Sequence, residues 1–143
     1  MAFERDPVAE ELLVKATSGH NFKSLIGLEM VSAGNGHAEV QIERRQDLTQ
    51  HHGYLHGGLI ATLADISMAW AAATAVGDVV TQSMTIQYLA PATGDDLRAR
   101  GEIIKAGKTS VSVQSRVYSG EKDGEPRLVA TGLATIAVLA QRL

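Results

Sequence analysis

QHHGYLHGGLIATLADISMAWAAATAVG, residues Gln50 to Gly77, begins with histidines and three glycines and then runs apolar from Leu59 to Val76 with a single charge, Asp65. The apolar part has the period of a helix. Leu59, Leu63, Ile66 and Trp70 share one face at i, i+4, i+7 and i+11. Ala61, Asp65, Ala69, Ala72 and Val76 share a second, turned from the first by roughly 120° at about 100° per residue. A helix apolar nearly all round is buried in a core or a membrane. Thr62, Asp65 and Ser67 interrupt the run, which argues against a span of the bilayer. The stretch therefore predicts a central buried helix carrying one carboxylate.

An ionised carboxylate is costly to bury, so Asp65 is paired, protonated or there for chemistry. A structural partner on a neighbouring strand or a chain interface would also account for it. His56-Gly57-Gly58 at the helix start is the second signal. The first N–H groups of a helix have no internal partner, and two glycines leave them unshielded for a carbonyl or oxyanion. A tight turn into the helix would equally use two glycines. Gly57 and Asp65 are eight residues apart, about 12 Å along a helix. A reacting atom must lie about 3 Å from both donor and base, so one chain does not bring both to it. An antiparallel copy of the same helix would, and a shared site at a two-fold axis follows if the two signals belong together.

Gln50-x-x-Gly53-x-x-His56-Gly57-Gly58 followed by Leu63-Ala64-Asp65 resembles the hotdog-fold acyl-CoA thioesterases, in particular their phenylacetate-pathway-like branch. Thr81 to Pro91 is similar to that branch's next strand, and Gly107-Lys108-Thr109-Ser110 to its following hairpin. The resemblance spans roughly residues 22 to 138. It implies an α+β hotdog fold, an antiparallel β-sheet wrapped around a long central α-helix, over a single domain 1–143. It also implies a homodimer with shared active sites, paired into a tetramer.

By this resemblance Asp65 is the carboxylate that acts as base on water or as nucleophile. The Gly57 N–H polarises the thioester carbonyl, with Gly58 beside it on the substrate. Position 50 is the side-chain amide, Asn in this branch and Gln here; the sister 4-hydroxybenzoyl-type branch carries Gln together with Glu as its carboxylate. Thr81 aligns as the hydroxyl partner of Asp65. Ser83 is the alternative, because a regular strand that slips by two keeps its facing. Lys108 is placed to meet coenzyme A phosphates.

His51, His52, His56 and Asp65 do not have zinc-hydrolase spacing: Gly53 lies among them and HExxH is absent. No metal and no cofactor are expected, and His56 is read chiefly as orienting the helix start, with a direct acid or base role secondary. No Gly-x-Ser-x-Gly elbow and no phosphate-cradling GxxxxGKS occur. Two rivals remain, an acyl-thioester hydratase or dehydratase and a non-catalytic acyl-CoA-binding protein.

The remaining chain fits this frame. Its 143 residues are 45% hydrophobic with a net charge of −3 and no cysteine. The balance carries no footprint for nucleic acid, and disulfides, thiolate metal sites and a cysteine nucleophile are excluded. MAFERDPVAEELL lacks a signal-peptide layout, so a cytoplasmic protein is expected. Asp6-Pro7 predicts a helix from about Pro7 to Ser18, followed by a connection through His20, Asn21 and Phe22. Leu28–Ala33 and Gly36–Arg45 read as a hairpin, with Ala38, Val40 and Ile42 inward and Glu39, Gln41 and Glu43 outward. Gln46 to Leu55 reads as a polar loop. Three strands are expected over Val79–Leu89, Leu97–Lys105 and Val111–Tyr118, and a last one over Leu128–Leu139 interrupted at Gly132. His20 and His37 are read as surface residues.

Overall fold

A computed structural model describes residues 4–19, 21–122 and 124–139. Helix α1 (Pro7–Ala16) is capped by the Asp6 carboxylate, which accepts from the N–H groups of Val8 and Ala9, with Pro7 in the first turn. It stops two residues before Ser18. The hydroxyl and N–H of Thr17 both turn back to the Leu13 carbonyl. Helix α2 (Phe22–Leu25) is one turn, closed by a capping box between Asn21 and Ser24, where only a connection was expected. His20 lies outside the described residues.

Strands β1 (Glu29–Gly34), β2 (His37–Glu43), β3 (Val79–Tyr88), β4 (Asp96–Ala106), β5 (Ser110–Gly120) and β6 (Arg127–Val138) form one sheet in the order β1-β2-β4-β5-β6-β3. Every pairing is antiparallel. The turn between β1 and β2 places Asn35 at φ 51° and Gly36 at φ 82°. Helix α3 (Gly57–Val76) lies across one face and touches all six strands. Among the described residues it is the one helix long and apolar enough to cross a membrane. Here the sheet covers one of its sides, and the architecture is the α+β hotdog arrangement the sequence predicted.

Within one chain the sheet covers only one face of α3. Leu59, Ile60, Leu63, Ala64, Ser67, Met68, Ala71 and Ala72 face the sheet and are buried, while Asp65, Ile66, Ala69, Trp70 and Ala73 are half-buried. Two glycines explain the rotation. A Cβ on Gly101 of β4 would come within 2.2 Å of the Ser67 carbonyl oxygen. One on Gly132 of β6 would come within 3.2 Å of Met68 Cε. The sheet thus meets the helix backbone through its small residues, and Ile66 and Trp70 swing off the contact. Gly132 accordingly does not interrupt β6, which runs unbroken.

Two residues read as outward or superficial are buried. Glu39 of β2 is 4% exposed because Arg98 and Arg100 of β4 flank it at 3.2 and 3.1 Å. His37 is 6% exposed at the start of β2. Both lie where an alternating pattern predicts solvent; over Glu39 it is the two arginines that close. Helix α1 is tied to β1 by the Asp6 N–H to the Ala33 carbonyl and by Glu10, which accepts from the Ala33 N–H and from Arg5. The Arg5 guanidinium holds the Glu10 carboxyl below the usual carboxylate range.

Candidate active site

Asp65 sits on the half-buried side of α3, about two turns from the helix start. β3 begins just past Gly77 and runs back beside the helix. Its Thr81 hydroxyl donates to Asp65 Oδ1 at 2.6 Å. The strand's register decides which hydroxyl does this. Thr81 pairs with Ile136 and Ser83 with Thr135, so Gln82 is an extra residue, a bulge. Upstream, Val79 and Thr81 are the half-buried positions; downstream they are Met84 and Ile86. The bulge switches the alternation and leaves Ser83 exposed on the other face. The expectation that positions 81 and 83 share a facing fails for this reason.

The helix start is held from several sides. The His56 N–H donates to the Leu48 carbonyl at 3.0 Å, and the Leu59 and Ile60 N–H groups donate to the His56 carbonyl. The Gly58 N–H donates to His56 Nδ1 at 3.0 Å. Of the N–H groups at the start of α3, that of Gly57 has no partner among the described residues. The carbonyl of its own peptide unit, that of His56, accepts two hydrogen bonds, which strengthens this N–H as a donor. Since Nδ1 of His56 accepts, the ring proton of a neutral imidazole resides on Nε2. His56 therefore orients the backbone.

Gln50 stands at the mouth of the Thr49–Leu55 loop, which closes through a bridge between those two residues. Its side-chain carbonyl accepts from the His52 N–H. Its NH₂ group has no partner among the described residues and remains a donor. Tyr88, at the end of β3, donates its phenol to the Gly57 carbonyl at 2.8 Å, with the ring against the glycine. In the sequence Tyr88 reads only as part of a strand. Its tie to the glycine depends on β3 running antiparallel to α3, which no local pattern announces.

The structure thus gathers the candidate residues into two groups. Gln50, His56, Gly57, Gly58 and Tyr88 lie at the N-terminal end of α3; Asp65 and Thr81 lie farther along. Lys108 is exposed on the β4–β5 turn, where the Thr109 carbonyl accepts from the Val138 N–H, close to the start of β3. It therefore belongs to the Asp65 end of the sheet. Gly57 and Asp65 remain about 12 Å apart along the helix.

A donor-bearing helix start and a hydroxyl-bound carboxylate suit hydrolysis of an activated carbonyl, and comparison with known proteins defines the class. The family model described as "Thioesterase superfamily" matches residues 52–125. Human acyl-coenzyme A thioesterase 13 is 33% identical over 69% of this chain and 74% of its own. The 1,4-dihydroxy-2-naphthoyl-CoA hydrolase of Listeria monocytogenes is 31% identical over 82% of this chain and 94% of its own. A crystal structure of a thioesterase family protein from Silicibacter pomeroyi superposes with a TM-score of 0.84 at 26% identity, covering 93% of this chain and 96% of that one. The chain belongs to the thioesterase superfamily, as a hotdog-fold thioester hydrolase.

Proposed function

We propose that this protein hydrolyses an acyl- or aryl-CoA thioester to the free acid and coenzyme A, as a homodimer with two shared active sites. The observation that carries this reading is Asp65, held by Thr81 at 2.6 Å on the side of α3 that the sheet leaves uncovered. In the dimer the antiparallel α3 of a second copy brings Gly57 of one protomer to Asp65 of the partner subunit. The thioester oxygen accepts from the Gly57 N–H and the Gln50 amide, with Gly58 alongside. Preorganised donors of this kind are worth about 10²–10³ in rate.

Asp65, oriented by Thr81, either takes a proton from water or attacks the carbonyl carbon itself. In the first route the water oxygen adds to the carbon and its proton passes to Asp65. The C–S bond then breaks, and the thiolate leaves and is protonated. In the second route Asp65 forms a mixed anhydride as the thiolate leaves, and water cleaves it. Lys108, at the Asp65 end of the sheet, meets the coenzyme A phosphates. Pairing of two dimers into a tetramer and a cytoplasmic setting complete the proposal; an acidic chain without cysteine fits the latter.

Free-thiol release from a panel of aryl- and alkyl-CoA thioesters, with wild type and Asp65→Asn side by side, tests the reading. Release by wild type and its loss by about 10² or more in the variant is expected. Near-normal turnover in a folded Asp65→Asn would sink the role of Asp65. Binding of acyl-CoA by both proteins without release would move the binding-protein and hydratase readings to the front.

A further inference from the structure

Beside the candidate site lies a second feature that the thioesterase reading does not use. Between α1 and α3 runs a groove of about 700 Å³, lined by Leu12, Leu13 and Ala16 of the first helix and by Ala69, Trp70 and Ala73 of the second. Its volume falls within the range of small-molecule pockets, roughly 300–1,000 Å³. Val79 of β3 also lines it.

The groove is continuous with the candidate carboxylate from two directions. One turn back from Ala69 on α3 is Asp65. Two residues on from Val79, on the same face of β3 and before the bulge, is Thr81. The walls that end at the groove therefore begin at the hydrogen-bonded Asp65–Thr81 pair. The lining is mostly apolar, with Thr17 and Thr74 as its neutral polar members, and it includes one carboxylate, Asp78, beside Gly77 where α3 ends. A hydrocarbon chain attached to a carbonyl beside Asp65 would find apolar surface along α3 and a negative charge where that helix ends.

We infer that the α1–α3 groove is the acyl-tail pocket of the same protomer that supplies Asp65, with α1 as its outer wall, and that it selects uncharged hydrocarbon tails over tails ending in a carboxylate. This rests on the thioesterase reading above. Helix α1 is the wall of the groove that substitution reaches most directly. It is fixed at its N-terminal end through Asp6 and Glu10 to Ala33, whereas Leu12 and Ala16 near its other end are exposed side chains at the groove.

The test measures kcat/KM by thiol release over acetyl- to decanoyl-CoA, and over hexanoyl- against adipoyl-CoA, for wild type, Ala16→Phe and Leu12→Ala. Both substitutions are at exposed positions of α1 and leave the sheet core untouched. In wild type each added methylene is expected to raise kcat/KM about fourfold until the groove is full, and adipoyl-CoA is disfavoured. Ala16→Phe, which fills the groove, lowers the decanoyl-to-acetyl ratio at least about tenfold. Leu12→Ala, which removes a wall, lowers it by a smaller factor. Trp70 is the chain's single tryptophan, so its emission in Asp65→Asn should shift to the blue with decanoyl-CoA and not with coenzyme A alone. Thiol release with a flat chain-length series, or with an unchanged ratio in both variants, overturns the pocket and leaves the thioesterase reading intact. No release from any thioester overturns the thioesterase reading, and the Trp70 response then decides the pocket by itself.

Discussion

The phenol of Tyr88 donates to the carbonyl oxygen of Gly57 at 2.8 Å, and the N–H of that same peptide unit donates to His56 Nδ1 at 3.0 Å. The peptide between Gly57 and Gly58 is thus held at both ends. The orientation of the neighbouring unit, which carries the free Gly57 N–H, is fixed with it. Tyr88 is half exposed, so its hydrogen bond contributes only about 1 kcal/mol to stability. Tyr88→Phe should therefore lower kcat/KM for thioester hydrolysis several-fold to about tenfold while the urea midpoint hardly moves. Equal losses in both measurements would make Tyr88 a merely structural residue.

Gly57→Pro removes one N–H and little else. Proline is favoured in the first turn of a helix. The preceding residue, His56, already has the extended backbone that a following proline requires, at φ −64° and ψ 139°. A Cβ at position 57 would meet the Tyr88 ring at an ordinary 3.4 Å. The variant should fold and lose about 10²–10³ in turnover. Co-refolding it with Asp65→Asn should restore about a quarter of wild-type turnover. Half of randomly paired dimers are hybrids, and each hybrid holds one intact site of two. No recovery in confirmed hybrids would place both residues in the site of one chain.

Gly101 has no room for a side chain, since a Cβ would lie 2.2 Å from a backbone oxygen, that of Ser67. Gly101→Ala must push α3 off β4 and should cost about 3 kcal/mol or more in urea unfolding. Gly132→Ala meets only the flexible end of Met68 at 3.2 Å and should cost about 1 kcal/mol. The reverse ranking would mean that the helix does not cross the sheet at Gly101.

Burial pushes the His37 imidazole below its ordinary value of 6.5, against the opposing pull of a hydrogen bond to the Glu4 backbone and of the Glu102 and Glu39 carboxylates. The unfolded chain titrates near 6.5, so below that pH it binds more protons than the folded protein. The stability that neutral His37 contributes is complete above about pH 6.5 and is lost as pH falls through the folded value. Urea unfolding from pH 7.5 to pH 5 should show stability declining on acidification, with a flatter slope for His37→Gln. Equal slopes would assign the decline to other groups. Glu10 and Asp47, held low by Arg5 and Arg45, act only in the more acidic carboxylate range.

Much of the fold was legible because strands and helices announce themselves locally. The strands begin and end within two residues of where alternation and turn residues put them. Asp6-Pro7 marks the start of α1, and the helical period marks α3. Candidate residues were legible where chemistry is unusual for its setting: one carboxylate in an apolar run, and two glycines at a helix start. Less legible was whatever depends on a neighbour far along the chain. Glu39 follows the outward phase of its strand, yet two arginines from β4 close over it.

The sequence by itself determined the six strands and helices α1 and α3, their order, and the placement of Asp65 and Gly57 on α3, because these follow from period, capping and spacing within one segment; it did not announce the single turn of α2. Only the tertiary structure decided that Thr81 rather than Ser83 reaches Asp65, since a bulge at Gln82 reverses the strand's facing and a bulge is a property of two paired strands. It also decided the rotation of α3. How deeply a helix settles on a sheet depends on Gly101 and Gly132, each more than thirty residues from the backbone or side chain that it accommodates. Hydrophobic period records that a helix is buried; the contact surface on the other side fixes which of its faces is.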